Sequence, residues 1–296
     1  MSLLKTLGFV TGHPLNRDRR LAALGRFLRW QLGSRLVTGP VVHHWIEGAR
    51  FLVGPGETGL TGNLYAGLHE FPEMAFVLHL LRPGDLFLDI GANAGAYTLL
   101  ACAVAGARAL AFEPVPATFQ RLRTNVRLND LDDRARCLNV ALGAAEGRVA
   151  FTSGLDTTNH ALAEVEVATD ATEVALRRLD DILDREAPLL IKLDVEGFES
   201  PVLQGAAKTL ERPELRAVIM ELNGSGARYG YRDADLLETM GDLGFRAYGY
   251  DPFTRRLQDL EGGGGDSGNT LFLRDEGLVR RRLEGARRYR VQGHSL

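Results

Sequence analysis

Acidic and amide side chains stand at the ends of short apolar runs in this sequence, and these residue types suit the chemistry of alcohols and amines. Carboxylates accept hydrogen bonds from hydroxyl and ammonium groups, and a positioned carboxylate can take a proton from an alcohol. The side chains concerned are Asp89, Glu113, Asp194, Glu196, Glu221 and Asn223. Whether they act together depends on the elements that carry them.

Residues 86–104 predict a strand, a glycine turn and a helix. The apolar run Leu86–Ile90 is short and follows Pro83-Gly84-Asp85, which is typical of a buried parallel strand. Gly91 and Gly95 let the backbone turn sharply and let a ligand lie against bare main chain. An alanine-rich helical run follows, so the unit is the first half of a dinucleotide-type site.

A second strand, 107–112, ends at Glu113, which lies 24 positions after Asp89. This spacing is near the roughly 20 residues expected for an acid that binds ribose hydroxyls, so it indicates an adenosine-containing ligand. The turn lacks the Gly-x-Gly-x-x-Gly pattern of pyrophosphate sites and has an acid two residues before Gly91. Because that acid would repel pyrophosphate and attract an ammonium group, S-adenosylmethionine is favoured over NAD.

Composition predicts a soluble globular chain with 45% hydrophobic and 25% charged residues. The net charge of −3 gives no general attraction to nucleic acid or to an anionic membrane, so neither partner is expected. Residues 1–10 lack the apolar core and cleavage site of a signal peptide, and no run approaches the roughly 20 apolar residues of a membrane helix. Cys102 and Cys137 are expected to be buried thiols in a reducing compartment. These features predict a cytoplasmic protein.

The region before the glycine turn predicts a packing helix over 17–32, whose apolar positions at helical spacing are Leu21, Leu24, Phe27, Leu28 and Leu32. Short strands follow in 41–53. The glycine-rich stretch 54–67 is predicted to be a loop that closes over the ligand and brings Tyr65 to it.

The rest of the chain alternates helices and strands, which predicts a doubly wound α/β sheet. The predicted strands cover 135–142, 148–152, 163–169, 189–194, 217–222, 245–250 and 270–273, with a polar link at 153–160 and a basic helix at 277–290. Ligands of such sheets lie beyond the carboxyl ends of the strands. The acids named above are therefore expected to face one crevice.

At these residues the sequence resembles the FkbM family of S-adenosylmethionine-dependent methyltransferases, over about residues 63–274. The matching stretches are Leu88-Asp89-Ile90-Gly91-Ala92-Asn93-Ala94-Gly95, Phe112-Glu113-Pro114, Asn139-Val140-Ala141-Leu142-Gly143 and Ile191-Lys192-Leu193-Asp194-Val195-Glu196-Gly197-Phe198-Glu199. The resemblance implies a class I methyltransferase (Rossmann-like) α/β fold, a seven-stranded sheet with helices on both faces. It also implies O-methylation of a small-molecule hydroxyl, on a sugar or natural product, which leaves S-adenosylhomocysteine. The domains expected are an N-terminal extension of helix and short strands (1–62), the methyltransferase domain (63–274) and a basic C-terminal helix (275–296).

The residues expected to bind the cofactor are Tyr65, Asp89, Gly91, Ala92, Asn93, Gly95, Thr98, Glu113, Pro114, Asn139, Val140, Ala141 and Asp194. Candidates for the catalytic base are Asp194, Glu196 and His160, with helix capping as the structural alternative for Glu196. A magnesium ion held by Asp194, Glu221 and Asn223 would lower the pKa of the acceptor hydroxyl; alternatively, Asp194 acts on the substrate directly.

Two other functions stay open at this point. The C-terminal arginines could hold RNA or an acidic protein as the methyl acceptor, although the net charge of −3 argues against it. The fold could also serve a non-catalytic or NAD-binding module. Self-association into a homo-oligomer is compatible with the sequence.

Overall fold

The computed structural model describes residues 3–55, 57–152, 159–162, 170–261, 263–265 and 268–296. The predicted strand 163–169 and most of the predicted link, 153–158, lie outside the described residues. Within the described residues, no helix is both long and apolar enough to cross a bilayer.

The elements of the N-terminal part are α1 (Leu3–Gly12), α2 (Arg20–Leu36), β1 (Val41–His44), β2 (Arg50–Val53), α3 (Thr58–Ala66) and α4 (Phe71–Leu80). The central part consists of β3 (Leu86–Ile90), α5 (Ala96–Leu99), β4 (Arg108–Phe112), α6 (Pro116–Leu128), β5 (Ala135–Leu138), β6 (Ala141–Leu142), β7 (Gly147–Thr152), β8 (Ala171–Arg177), α7 (Leu179–Leu183), β9 (Leu190–Leu193), α8 (Glu199–Gly205), α9 (Ala207–Glu211) and β10 (Ala217–Glu221). The C-terminal part consists of α10 (Asp233–Asp242), β11 (Arg246–Asp251), β12 (Arg256–Asp259), β13 (Asn269–Leu273), α11 (Glu276–Glu284), β14 (Arg290–Val291) and β15 (His294–Ser295).

The main sheet has the strand order β12-β11-β13-β10-β9-β3-β4-β5. The strands β10, β9, β3, β4 and β5 are parallel, and β13 runs antiparallel between β10 and β11. This is the class I methyltransferase arrangement that was predicted, and the edge strand β12 brings the total to eight rather than seven. Ile90 pairs with Phe112 on one side and with Leu193 on the other, so three strands end level with one another.

Helices cover both faces of this sheet because successive strand residues point to opposite sides. Phe87 belongs to a core shared with α4, α5 and α6, whereas Leu88 belongs to a core shared with α7, α8 and α10. Both side chains are fully buried. An apolar run without alternation is typical of such a parallel strand, and it explains why the sequence predicted this part of the fold.

The strand predicted over 135–142 is broken in the structure. Residues 135–138 join the main sheet as β5, but β6 pairs with β8 in a separate sheet of three strands, β6-β8-β7. The break falls at Asn139, whose side-chain Nδ2 donates to the carbonyl oxygens of Glu113 and Pro114, both at 2.8 Å. This side chain ties the chain to the end of β4 where the strand leaves the sheet.

Two predictions about the N-terminal part were wrong. The stretch predicted as a loop over 54–67 contains the helix α3, and its last residues pack against α2. The helix α2 is present and buries the predicted position Phe27 together with Ala23, but Leu21, Leu28 and Leu32 are exposed. The helical period was therefore correct, whereas three of the five predicted packing positions face away from the protein.

The predicted basic C-terminal helix is shorter in the structure. α11 ends at Glu284, and the chain continues into the hairpin of β14 and β15. Arg282 is paired with Asp85, and Arg287 donates to the carbonyl oxygen of Val104 at 2.8 Å. These two arginines therefore attach the C-terminal segment to the fold.

Candidate functional site

A cavity of about 300 Å³ lies at the carboxyl ends of β3, β4 and β9. Its described wall contains six carboxylates and one lysine: Glu70, Asp89, Glu113, Asp194, Glu196, Glu221 and Lys192. The predicted residues Gly91, Ala92, Asn93, Pro114, Val140 and Ala141 also line it. The structure therefore brings the ends of the strands to one crevice, as the sequence predicted.

The turn after β3 requires glycine at position 91. Gly91 has φ 80°, and its N–H and that of Ala92 donate to the carbonyl oxygen of Phe112 at 3.0 and 2.9 Å. A Cβ atom at Gly91 would lie 1.8 Å from the carbonyl oxygen of Asp194. The turn thus fits tightly between the ends of β4 and β9, and only a bare backbone can occupy this position.

Glu113 holds the glycine turn from the next strand. Its Oε2 accepts from the backbone N–H of Asn93 at 3.0 Å and its Oε1 accepts from that of Val115 at 2.9 Å. Burial raises the pKa of Glu113 to about 7, although these hydrogen bonds act in the opposite direction. Each carboxylate oxygen keeps a further acceptor site, so the residue can also accept from ligand hydroxyls.

Asp89 has one oxygen without a partner in the cavity wall. Its Oδ2 accepts from the Thr98 hydroxyl at 2.6 Å, whereas its Oδ1 is buried and has no hydrogen bond within the described part of the chain. Burial raises the pKa of Asp89, and the nearby charge of Lys192 lowers it. Thr98 itself does not line the cavity, so it orients Asp89 rather than contacting a ligand.

A charged network in the cavity wall was not predicted from the sequence. Lys192 is buried, its Nζ lies 2.7 Å from Asp194 Oδ2, and it stands 4.7 Å from the centre of the Tyr97 ring. The Tyr97 hydroxyl donates to Glu70 Oε2 at 2.6 Å, and Asn269 Nδ2 donates to Glu70 Oε1 at 3.3 Å. A lysine inside the apolar run of β9 was the available signal, because lysine is almost never fully buried unless it is paired.

Glu196 faces the cavity and does not cap the following helix. The cap residue of that helix is Phe198, without a side-chain capping bond, and the N–H groups of Val195 and Gly197 donate to Glu199 Oε1, at 3.3 and 3.2 Å. Glu196 has φ 54°, a left-handed conformation that is uncommon for a residue with a side chain. Glu196 thus lies in the turn between β9 and α8, outside the helix.

The electrostatic surroundings of Glu196 suit a proton acceptor. Burial, followed by the charge of Asp194, raises the pKa of Glu196 to about 7. The charge of His160 lowers this pKa, so the third predicted catalytic residue lies within electrostatic range of Glu196. The imidazole does not line the cavity, although the neighbouring Asn159 does.

Of the magnesium ligands predicted from the sequence, Asp194 and Glu221 come together, whereas Asn223 does not line the cavity. Asn223 is exposed, and its Oδ1 accepts from the N–H of Ser225 at 2.8 Å. Glu196 takes its place, because carboxylate oxygens of Asp194, Glu196 and Glu221 lie within 4.8 Å of one another. Burial, followed by the charges of Asp194 and Glu196, raises the pKa of Glu221 to about 8.

Tyr65 lies away from the cavity, contrary to the predicted role. It is buried under α2, where its ring centre is 5.3 Å from that of Phe27 and its hydroxyl accepts from Gln31 Nε2 at 3.2 Å. Gly59 and Leu60, at the other end of α3, line the cavity instead. The helical turn of α3 separates the two ends, which a loop prediction could not anticipate.

Two further predicted cofactor residues support the wall without forming it. Gly95 has φ 91° and precedes α5, and a Cβ atom there would lie 2.7 Å from Leu122 Cδ1. Asn139 is exposed and bonded to the end of β4, as described above. Both positions fix the backbone around the cavity.

The strand order and the acid-lined crevice define a class I methyltransferase fold. The FkbM methyltransferase domain matches residues 89–251, which is more than half of the chain. The protein therefore belongs to the FkbM methyltransferase family.

The individual relatives share low sequence identity with this chain. Methyltransferase 1 of Beauveria bassiana is 31% identical over 148 residues, which cover 42% of this chain and 59% of the relative. The 31-O-demethyl-FK506 methyltransferase FkbM of Streptomyces tacrolimicus is 29% identical over 175 residues, which cover 48% of this chain and 67% of the relative. The crystal structure of methyltransferase FkbM from Methylobacillus flagellatus KT aligns with a TM-score of 0.43 at 18% identity, over 72% of this chain and 54% of that one. The match thus spans about 59% of the length of the first of these relatives.

Proposed function

We propose that this protein is an S-adenosylmethionine-dependent O-methyltransferase that acts on a hydroxyl of a small molecule, such as a sugar or a natural product. The observation that carries the proposal is the single cavity that joins the glycine turn and Glu113 to the carboxylates Asp194 and Glu196. Residues suited to binding the cofactor and a residue suited to accepting a proton thus line the same cavity. The name of the Streptomyces tacrolimicus relative describes an O-methyltransferase, which supports a hydroxyl acceptor for this chain.

The residues present fit S-adenosylmethionine. The tight turn at Gly91 offers bare backbone, Glu113 offers acceptor sites for ribose hydroxyls, and the unpartnered Asp89 Oδ1 offers an acceptor for an ammonium group. Six carboxylates against one lysine give the described wall an excess of negative charge. This charge attracts a ligand with sulfonium and ammonium groups and repels the diphosphate of NAD.

The bound cofactor would supply an electrophilic methyl group, and the protein would position and activate the acceptor. Glu196 takes the proton from the acceptor hydroxyl, because a base with a pKa of about 7 is available near neutral pH. Asp194 is held by Lys192 at 2.7 Å and orients the hydroxyl. Glu221, with a pKa of about 8, retains its proton near neutrality and can donate a hydrogen bond to the acceptor.

The proposal does not require magnesium. The Lys192 ammonium already neutralises Asp194, and the Asn223 oxygen is engaged with a backbone N–H. A metal at the three carboxylates would have to compete with the buried lysine. We therefore expect the base Glu196 to act without a metal ion.

The test has two parts. Calorimetry should show that the purified protein binds S-adenosylmethionine and not NAD, and binding of NAD alone would refute the cofactor assignment. A methyl-transfer screen with labelled S-adenosylmethionine against sugars, glycosides and polyketide alcohols should then label a hydroxyl. Labelling of RNA or protein in place of all alcohols would refute the acceptor assignment and leave the cofactor assignment intact.

A further inference from the structure

The outer face of α2 is an apolar surface that the fold leaves uncovered. Leu21, Leu28, Leu32 and Leu36 are 85%, 56%, 65% and 85% exposed. We call these four side chains the leucine face. They are seven, four and four residues apart, so they lie along one side of the helix.

This exposure is concentrated in one part of the molecule. Of the eight large apolar side chains that are exposed in the described residues, seven lie between Leu4 and Val42, and the eighth is Phe253. Single exposed leucines are ordinary on a protein surface, but a contiguous apolar stripe marks an interaction site.

The inner face of α2 is firmly attached, so the exposure is not a sign of an undocked helix. Phe27 is buried against Tyr65. The Nη2 atom of Arg26 donates to Asn16 Oδ1 at 2.7 Å and to the carbonyl oxygen of Tyr65 at 2.9 Å. The helix therefore presents the leucine face to the outside as a fixed surface.

The segment that carries the leucine face has a strong excess of positive charge. Residues 1–42 contain seven lysines and arginines and one acid, Asp18, and thus have a net charge of +6 in a chain whose total is −3. The basic residues are Lys5, Arg17, Arg19, Arg20, Arg26, Arg29 and Arg35. The other residues together have a net charge of −9, so the overall value conceals two regions of opposite sign.

We propose that the leucine face and the exposed arginines of the same helix, Arg20, Arg29 and Arg35, bind the surface of a membrane that contains anionic lipids. A helix with leucines on one side and basic residues around them lies in the plane of the lipid headgroups, with its apolar side inserted. Cationic side chains near such a surface add electrostatic attraction to the gain from burying the leucines. The expectation of no membrane partner used the net charge of the whole chain, which averages over this asymmetry.

The charge distribution favours lipid over a second copy of this chain. A two-fold contact would place the same surface on both subunits. Two segments, each with a net charge of +6, would then face each other. Their repulsion opposes the contact unless a high salt concentration screens the charges. An anionic surface has the complementary sign.

Lipid binding through the leucine face would hold the cavity close to the bilayer. α2 packs on α3 through Phe27 and Tyr65, and the opposite end of α3 supplies Gly59 and Leu60 to the cavity wall. One helix therefore separates the proposed lipid surface from the cavity. Binding itself does not depend on what the cavity transforms.

The experiment is flotation of the full-length protein with two kinds of vesicle, phosphatidylcholine alone and phosphatidylcholine with about one third phosphatidylglycerol. We expect binding to the anionic vesicles only, and weaker binding as salt is added. The double variant Leu28→Glu/Leu32→Glu should bind at least roughly tenfold more weakly, because it loses two buried leucines and adds two like charges. The double variant Arg20→Gln/Arg29→Gln should also bind more weakly.

The matched control removes the same charge from exposed positions elsewhere, Arg136→Gln/Arg256→Gln, and should bind as well as the wild type. Circular dichroism and thermal melting should show that all variants are folded, as expected for exposed positions. Failure of the wild type to float with anionic vesicles would overturn the proposal, as would equal binding by the leucine variant. A dimer in sedimentation velocity that disappears in the leucine variant, without vesicle binding, would assign the face to a second copy instead.

Discussion

Replacing Lys192 with methionine removes the positive charge around which the acids of the cavity are arranged. Methionine keeps the length of the side chain but leaves Asp194 Oδ2 without the ammonium that now lies at 2.7 Å. Breaking a buried ion pair by removing one partner typically costs about 3–5 kcal/mol. Because the Asp194 side chain is 28% exposed, we expect the lower end, about 3 kcal/mol of unfolding free energy near pH 8.

This loss should depend on pH, and its sign follows from the neighbouring acids. Lys192 lowers the pKa values of Asp89, Glu196 and Glu221, which burial raises, so those pKa values will rise further in the variant. An acid with a raised folded-state pKa costs stability as the pH rises from its unfolded-state pKa to its folded-state pKa, so a further rise of the pKa in the variant adds its cost only above the wild-type pKa. With pKa values of about 7 for Glu196 and about 8 for Glu221 in the wild type, the deficit should grow between about pH 6 and pH 8.

The measurement is urea unfolding followed by circular dichroism at both pH values. Lys208→Met is the matched control, because Lys208 is exposed on α9 and its loss should cost little at either pH. The reasoning fails if the two methionine variants are equally stable, or if the deficit of Lys192→Met is the same at both pH values. The first outcome would mean that the Lys192–Asp194 ion pair contributes nothing to stability. The second would mean that the loss of stability comes from altered packing.

Four further predictions concern the cavity. Gly91→Ala should abolish S-adenosylmethionine binding in calorimetry, because its Cβ atom would lie 1.8 Å from the Asp194 carbonyl oxygen. The control Gly241→Ala, at a position with open space around it, should bind the cofactor normally. Wild-type affinity in Gly91→Ala would contradict the tight turn. Glu113→Gln should weaken cofactor binding by about 1–3 kcal/mol through lost charge-assisted hydrogen bonds, and an unchanged dissociation constant would remove Glu113 from the cofactor site. Glu196→Gln should lower kcat by roughly 10²–10⁴, and the wild-type rate should rise as the pH passes about 7; a rate that is flat over this range would exclude Glu196 as the base. Exhaustive chelation should leave the rate unchanged, and restoration of a lost rate by magnesium would show that a metal is required.

The amino-acid sequence by itself determined the strands and the acids at their ends. Short apolar runs identified β3, β4, β9 and β10, because a parallel strand is buried on both faces and tolerates few polar residues. Since parallel strands end at the same edge, the positions of Asp89, Glu113 and Asp194 along the chain were enough to place them at one crevice. Local sequence also predicted the glycine turn.

Only the tertiary structure decided which groups pair across the cavity. Glu70 is bonded to Tyr97 and to Asn269, which are 27 and 199 residues away in the chain. Lys192 and Asp194 are two residues apart in the sequence, but their ion pair depends on the burial created by the neighbouring strands. A pattern in the local sequence cannot predict contacts that depend on residues far away in the chain.

The orientation of α2 and the place of Tyr65 were decided in the same way. The period of 3.6 residues marks an apolar side of a helix, yet it does not say which side the rest of the protein covers. Here the fold covers Phe27 and leaves Leu28 exposed, although the two are adjacent in the sequence. The physical reason is that the buried side of a helix is the side against which other elements pack. The fold of the whole chain decides which elements those are.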